Sequence, residues 1–274
     1  MSLDLSAEGN DRLIHLAIDH GINYFDTADL YDFGENERYI GKVIKAHRQQ
    51  ILLATKVGNE WKEGQSGWSW NASKDYLIRA TENSLKRLNT DHIDLLQLHG
   101  GTIEDNFDDI IEAFELLQKQ GKIRYYGMSS IRPNVIRRFA VHGGSSSNMM
   151  QYSFLDRRPE ESGLDELKKA NISLMARGVL AKGLLAGKAA DSYLNLTKEE
   201  VKKILSHLSE FGSVQTLAQK YVLAKPVTAS LILGIRTIEQ LNAALKGYQE
   251  GQSLKIDWDE IRDFLPEQKY DAHR

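Results

Sequence analysis

The sequence predicts a (β/α)8 barrel, and three observations carry that prediction. Seven short apolar runs recur along the 274 residues, each followed by a stretch with helical periodicity. Such alternation builds a parallel sheet covered by helices, and at this length a closed barrel is the leading form. No G-x-G-x-x-G occurs anywhere, whereas a doubly wound sheet normally carries that fingerprint after its first strand.

The runs are INYFD (22–26), ILLATKV (51–57), IDLLQLH (93–99), RYYGMSS (124–130), NMMQYS (148–153), ISLMA (172–176) and ASLILG (229–234). Between them lie helix signals. In NFDDIIEAFELLQKQG, Asn106 stands at the cap position, Asp109 in the first turn and Gly121 at the stop, while Ile110, Ala113, Phe114 and Leu117 share one face. Pro133 suits a first helical turn, and TKEE at Thr197 and TIEQ at Thr237 read as capping boxes. The helical pattern DRLIHLAIDHG already precedes INYFD, so the expectation is one domain over residues 1–274 in which most of the first barrel strand is missing.

Composition excludes several function classes. With 35 basic and 38 acidic residues the formal charge is −3, which gives no global attraction to nucleic acid or to an anionic membrane. Without cysteine there are neither disulfides nor thiolate metal sites, and no other metal-ligand spacing stands out, so a metal-independent protein of the reducing cytoplasm is expected. No stretch approaches a membrane span, and the first residues lack the regions of a signal peptide. The glycosylation patterns at Asn71 and Asn195 read as chance, and GLLAGKA (183–189) fails as a P-loop in both spacing and final residue.

Catalytic groups of barrel enzymes sit where strands end at the C-terminal face. That rule selects Asp26 at the end of the first run, Tyr31 in the loop after it, Lys56 near the end of the second run, and His99 at the end of the third. Each alone fits a structural role. Together they make a proton-donating set: an ammonium after an apolar run needs a partner, Asp26 on the neighbouring strand supplies it, and a phenol beside that cation gives up its proton more readily. His99 would hydrogen-bond the same oxygen. A cofactor must supply electrons, and the loops after the last two strands offer an anion site, Gly234, Arg236 and a helix start in one and Gly183, Gly187 and Lys188 in the other.

Over almost its whole length the chain resembles the aldo-keto reductase family, through GINYFDTADLYDFGENERYIGKVIK, ILLATKVG, SLKRLNTDHIDLLQLHG, GKIRYYGMSSIRP, MMQYS, AKGLLAGK and LILGIRTIEQL. The resemblance implies a (β/α)8 fold without that family's N-terminal hairpin, extended NADPH, and Asp26, Tyr31, Lys56 and His99 as the catalytic tetrad, with Tyr31 the general acid. By the same resemblance Ser129, Ser130 and Gln151 meet the nicotinamide carboxamide, Leu184 and Lys188 cover the pyrophosphate, and Arg236 and Gln240 hold the adenosine 2′-phosphate. Four departures stand out: Ser130 replaces the commoner asparagine, Arg177 occupies the place of a stacking aromatic, Val179 replaces proline, and Ala243 and Ala244 replace a Glu-Asn pair near the adenine.

Trp61, Trp68 and Trp70 crowd one loop after the second run and are expected to wall a substrate pocket. The function expected is NADPH-dependent reduction of aldehydes or ketones. Two alternatives stand beside it: a nucleotide-binding regulatory protein with little turnover, and a Schiff-base enzyme using Lys56, which pairing with Asp26 disfavours.

Overall fold

All seven apolar runs are strands in the computed structural model, which describes residues 9–62, 64 and 66–273, and each strand ends within two residues of its predicted limits. Two compact units emerge, Met1–Asn148 with Ile235–Thr237, and Met149–Gly234 with Ile238–Arg274.

The first unit runs α1 (Asn10–Asp19), β1 (Tyr24–Asp26), α2 (Glu35–Ile44), β2 (Leu52–Val57), β3 (Asn59–Glu60), β4 (Ser69–Trp70), α3 (Lys74–Leu88), β5 (Ile93–Leu98), α4 (Phe107–Lys119), β6 (Ile123–Met128) and α5 (Pro133–Val141), reaching the start of β7 (Ser147–Gln151). Strands β1, β2, β5, β6 and β7 pair in that order, all parallel. Every residue of β5 and all but the first of β2 are buried, as expected of strands covered on both faces. The register sets Asp26 beside Ala54 and Lys56 beside Gln97, so the ends of β1, β2 and β5 lie together.

Residues Ile110, Ala113, Phe114 and Leu117 of α4 are fully buried, as the periodicity predicts. Its start differs in one respect. Asn106 occupies the cap position but its side chain caps no N–H, and Asp108 and Asp109 meet the positive helix end instead. Gly121 ends the helix at φ 72°.

Helix α2 meets the end of α3 closely at Gly41. A methyl group there would land on the Leu88 backbone, which cannot yield as a side chain does. Gly41→Ala is therefore expected to cost about 1–3 kcal/mol or more of stability, read as a lowered midpoint in urea unfolding.

In the second unit, α6 (Gly163–Lys169), β8 (Ser173–Arg177), α7 (Lys198–Glu210), α8 (Val214–Leu223), β9 (Thr228–Ile232), α9 (Ile238–Ser253) and α10 (Trp258–Phe264) continue the alternation, with β8 and β9 parallel. The capping box at Thr197 forms in full: the Glu200 N–H donates to Thr197 Oγ1 and the Thr197 N–H to Glu200 Oε2. Gln268 fastens the chain end, accepting the Arg157 N–H at 2.7 Å and donating to Leu155 O at 3.2 Å. Among the described residues no helix is long and apolar enough to cross a membrane.

Candidate active site

Strand endings bring Asp26, Tyr31, Lys56 and His99 together within the first unit. Lys56 lies almost wholly buried on β2, with its ammonium donating to Asp26 Oδ2 at 2.5 Å and to Thr27 O at 2.6 Å. A buried cation is tolerable only when paired and hydrogen-bonded, and here both conditions hold. Lys56 Nζ stands 5.1 Å from the centroid of the Tyr31 ring. Tyr31 in turn meets His99 edge to face, with centroids 5.9 Å apart and planes at 84°. Both rings are half-buried, so the constellation opens to solvent on their side.

Local backbone fixes these positions. The Thr27 N–H donates to Ala54 O and the Asp29 N–H to Lys56 O, which extends the β1–β2 ladder past the strand end. The chain then turns sharply after Tyr31, with Asp32, Phe33 and Gly34 all left-handed at φ 49°, 50° and 88°. A left-handed phenylalanine costs about 1–2 kcal/mol, strain of the kind that gathers at functional turns. His99 is held through its own peptide: its N–H donates to Val57 O at 2.8 Å, and its carbonyl accepts from Asn59 Nδ2 at 3.3 Å.

Behind the tetrad lies a buried ionic layer. Glu37, fully buried, accepts from Arg87 Nε at 2.7 Å and from Thr55 Oγ1 at 2.5 Å. Asp29 is 2% exposed, and burial, reinforced by the charge of Glu37, pushes its carboxyl well above the usual carboxylate range. Asp29 thus stays protonated in the folded chain at pH values where it ionises in the unfolded one, so its contribution to stability is full in acid and is lost as pH rises towards its folded value. Asp29→Asn is expected to gain stability over wild type as pH rises through that window, by up to about 1.4 kcal/mol per pH unit, and then to level off. Urea unfolding of both proteins across pH tests this, and a difference that is flat from acid to neutral pH would contradict it.

The tryptophans divide. Trp68 is 57% exposed. Trp61 packs edge-on against Phe33 at 5.7 Å and lies under the Arg87 guanidinium. Trp70 donates its indole N–H to Asp105 Oδ1 at 2.8 Å and rests against Gly58 and Gly100.

Residues expected to meet the cofactor occur in both units. In the first, the Ser129 N–H donates to Leu98 O, and Ser130, 5% exposed, trades two hydrogen bonds with Asn148, whose Oδ1 accepts its N–H while Nδ2 donates to its carbonyl. The Ser130 hydroxyl accepts the Arg132 N–H at the start of α5. In the second unit, Gln151 and Arg177 are half-buried at the ends of β7 and β8. The turn 181–188 carries four left-handed residues, Ala181, Lys182, Gly183 and Gly187, with the Lys188 N–H donating to Gly183 O. Leu184 buries its side chain there while Lys188 is exposed. Gly234 follows β9 and Gln240 stands in the first turn of α9, both exposed; Arg236, also exposed, belongs to the short segment Ile235–Thr237 that groups with the first unit.

Sequence reasoning missed Thr27, Asn59, Glu37, Arg87 and Asn148. Only Asn148 left a visible signal, as a polar residue inside a strand run.

Comparison with known proteins gives concordant findings. The Aldo/keto reductase family profile matches residues 4–265. The oxidoreductase YqkF of Bacillus subtilis (strain 168) is 45% identical over 289 residues, covering 99% of this chain and 93% of that protein. The aldo-keto reductase yakc [NADP(+)] of Schizosaccharomyces pombe is 35% identical over 187 residues, covering 66% and 55% respectively. Among solved structures, the holo form of aldo-keto reductase AKR11C1 from Bacillus halodurans superposes with a TM-score of 0.91 at 42% identity, covering 96% of this chain and 89% of that one. The parallel strands and their helices are those of the (β/α)8 fold.

Proposed function

Because the chain belongs to the aldo/keto reductase family, a family of oxidoreductases that use nicotinamide cofactors, we propose that it reduces aldehydes or ketones to alcohols with NADPH. The observation that carries this reading is the placement of Lys56, bonded to Asp26 at 2.5 Å and 5.1 Å from the centre of the Tyr31 ring.

Each residue then has a task. Tyr31 gives its hydroxyl proton to the carbonyl oxygen as negative charge develops there. Lys56 stabilises the phenolate left behind, and Asp26 with Thr27 O holds the ammonium in place. His99 donates a hydrogen bond to the same oxygen and so orients the carbonyl. Bound NADPH supplies the hydride that the carbonyl carbon receives. The chain's own groups suit such a ligand: the left-handed turn 181–188 carries small residues and the exposed cation of Lys188 towards a pyrophosphate, and exposed Arg236 and Gln240 suit a 2′-phosphate. By the family resemblance Ser129, Ser130 and Gln151 are assigned to the carboxamide, Gly234 to the phosphate side, and Arg177 to the place of the family's stacking aromatic. The choice of NADPH over NADH rests on Arg236 and Gln240, since the name of the yeast relative specifies NADP(+) while that of a reductase from Escherichia coli specifies NADH.

Titrating the protein with NADPH by calorimetry, then adding a panel of small aldehydes while following absorbance of the reduced nicotinamide, tests the proposal. Binding followed by carbonyl-dependent oxidation is expected. Tight binding with no oxidation on any carbonyl would favour the regulatory reading instead.

A further inference from the structure

The loop between Gly58 and Asn71 contains a two-residue antiparallel hairpin, β3–β4, in which Asn59 pairs with Trp70. Its position explains an otherwise curious run of glycines. The chain leaves β2 through Gly58 at φ 127°, and leaves β5 through His99 and Gly100, the latter at φ 135°. Trp70 lies on both. A Cβ on Gly58 would stand 2.8 Å from Trp70 Cζ3, and one on Gly100 would stand 3.3 Å from the same atom. The indole is therefore in contact with bare backbone immediately beyond His99 and two residues beyond Lys56.

Its other attachment leads back to the same loop. The indole N–H donates to Asp105 Oδ1 at 2.8 Å, and Asp105 Oδ2 accepts the Thr102 N–H at 2.6 Å. One carboxylate thus ties the ring to the chain leaving His99. From the same hairpin Asn59, 4% exposed, donates to the His99 carbonyl. The same segment is also held by the Gly100 N–H on Leu98 O at 3.0 Å and by Arg132 Nη1 on Gly101 O at 2.8 Å, but two successive glycines leave its side facing the indole with no side chain of its own to set its direction.

We propose that Trp70, braced by Asp105, is a positioning residue of the reductase: packed across Gly58 and Gly100, it fixes the peptide after His99 and so the direction in which the imidazole meets the substrate oxygen. The inference rests on the assignment of His99 as the group that binds the carbonyl. A hydrogen bond that strengthens as charge develops acts on kcat more than on KM, and a misplacement of about 1 Å costs up to about 100-fold.

The test compares wild type, Trp70→Ala, Trp70→Phe and Asp105→Ala by steady-state kinetics with NADPH and an aldehyde that wild type reduces. Calorimetry reads NADPH affinity, thermal melting reads the fold, and NMR reads the His99 imidazole resonances without cofactor. Trp70→Ala is expected to lower kcat about 10- to 100-fold, to leave NADPH affinity within about twofold, and to shift the His99 resonances. Trp70→Phe, which keeps a ring on the glycines, should recover part of kcat, and Asp105→Ala should fall in the same direction as Trp70→Ala. If Trp70→Ala does not fold, Trp70→Phe and Asp105→Ala carry the test. Unchanged kcat and unshifted His99 signals in folded variants, even with lower melting temperatures, would make the clamp merely structural and overturn the proposal alone. A wild type that turns over no carbonyl would overturn the reductase reading and this proposal with it.

Discussion

Tyr31→Phe is expected to lower kcat for carbonyl reduction by about 10²- to 10⁴-fold, the range over which a positioned proton donor acts. The substitution removes one hydroxyl and little else. The ring keeps its edge contact with His99 and its place beside Lys56, so neither the fold nor NADPH affinity should change appreciably. Steady-state kinetics with calorimetric titration checks both halves of the expectation. A variant with full activity would remove Tyr31 from the chemistry, whereas one that loses activity and cofactor affinity together would mean that the hydroxyl serves binding.

Lys56→Met is expected to act on stability as well as on turnover. The lysine side chain is 1% exposed and its Asp26 partner 6%, so removing the ammonium leaves a carboxylate in the interior without its counter-charge, and Thr27 O without its donor. Breaking a buried pair in this way costs about 3–5 kcal/mol, on the order of 10 °C in melting temperature for a chain of this size. The double variant Asp26→Asn, Lys56→Met should recover much of that loss, because the stranded charge is gone. It should not recover turnover, because the phenolate of Tyr31 would still lack its cation. Chemical unfolding of the two single variants and the double variant forms a mutant cycle that measures the pair directly. A double variant as unstable as Lys56→Met would locate the cost in packing instead of charge.

Much of the architecture was legible because buried parallel strands are written as continuous apolar runs. β2 and β5 are the clearest cases, and their C-terminal ends pointed to Lys56 and His99 by the rule for barrel enzymes. The pairing of Lys56 with Asp26 followed from burial alone, since an ammonium after ILLAT needs a neighbour of opposite charge. Other features were not legible, for identifiable reasons. Two-residue strands have no periodicity, so β3–β4 read as irregular loop and the role of Trp70 on Gly58 and Gly100 went unseen. The segment GGSSSN before Met149 is polar, unlike the other runs, and its side-chain contacts cannot be read from the sequence. Two of its polar side chains find partners: Asn148 holds Ser130, and Ser146 Oγ donates to Tyr126 O. The Glu37–Arg87 pair joins residues 50 apart, and its Thr55 contact comes from a third element, so no local pattern announces it. Asn106 shows the opposite failure, a strong local signal at a position where the acidic first turn does the work.

The most direct measurement is product analysis with NADPH carrying deuterium at its transferable position. Incubation with wild-type protein and an aldehyde, followed by mass spectrometry of the recovered material, should find alcohol bearing that deuterium on the carbinol carbon, with the yield collapsing in Tyr31→Phe. Aldehyde recovered unchanged from protein saturated with the cofactor, across a broad carbonyl panel, would contradict the assignment of Asp26, Tyr31, Lys56 and His99 as a carbonyl-reducing site.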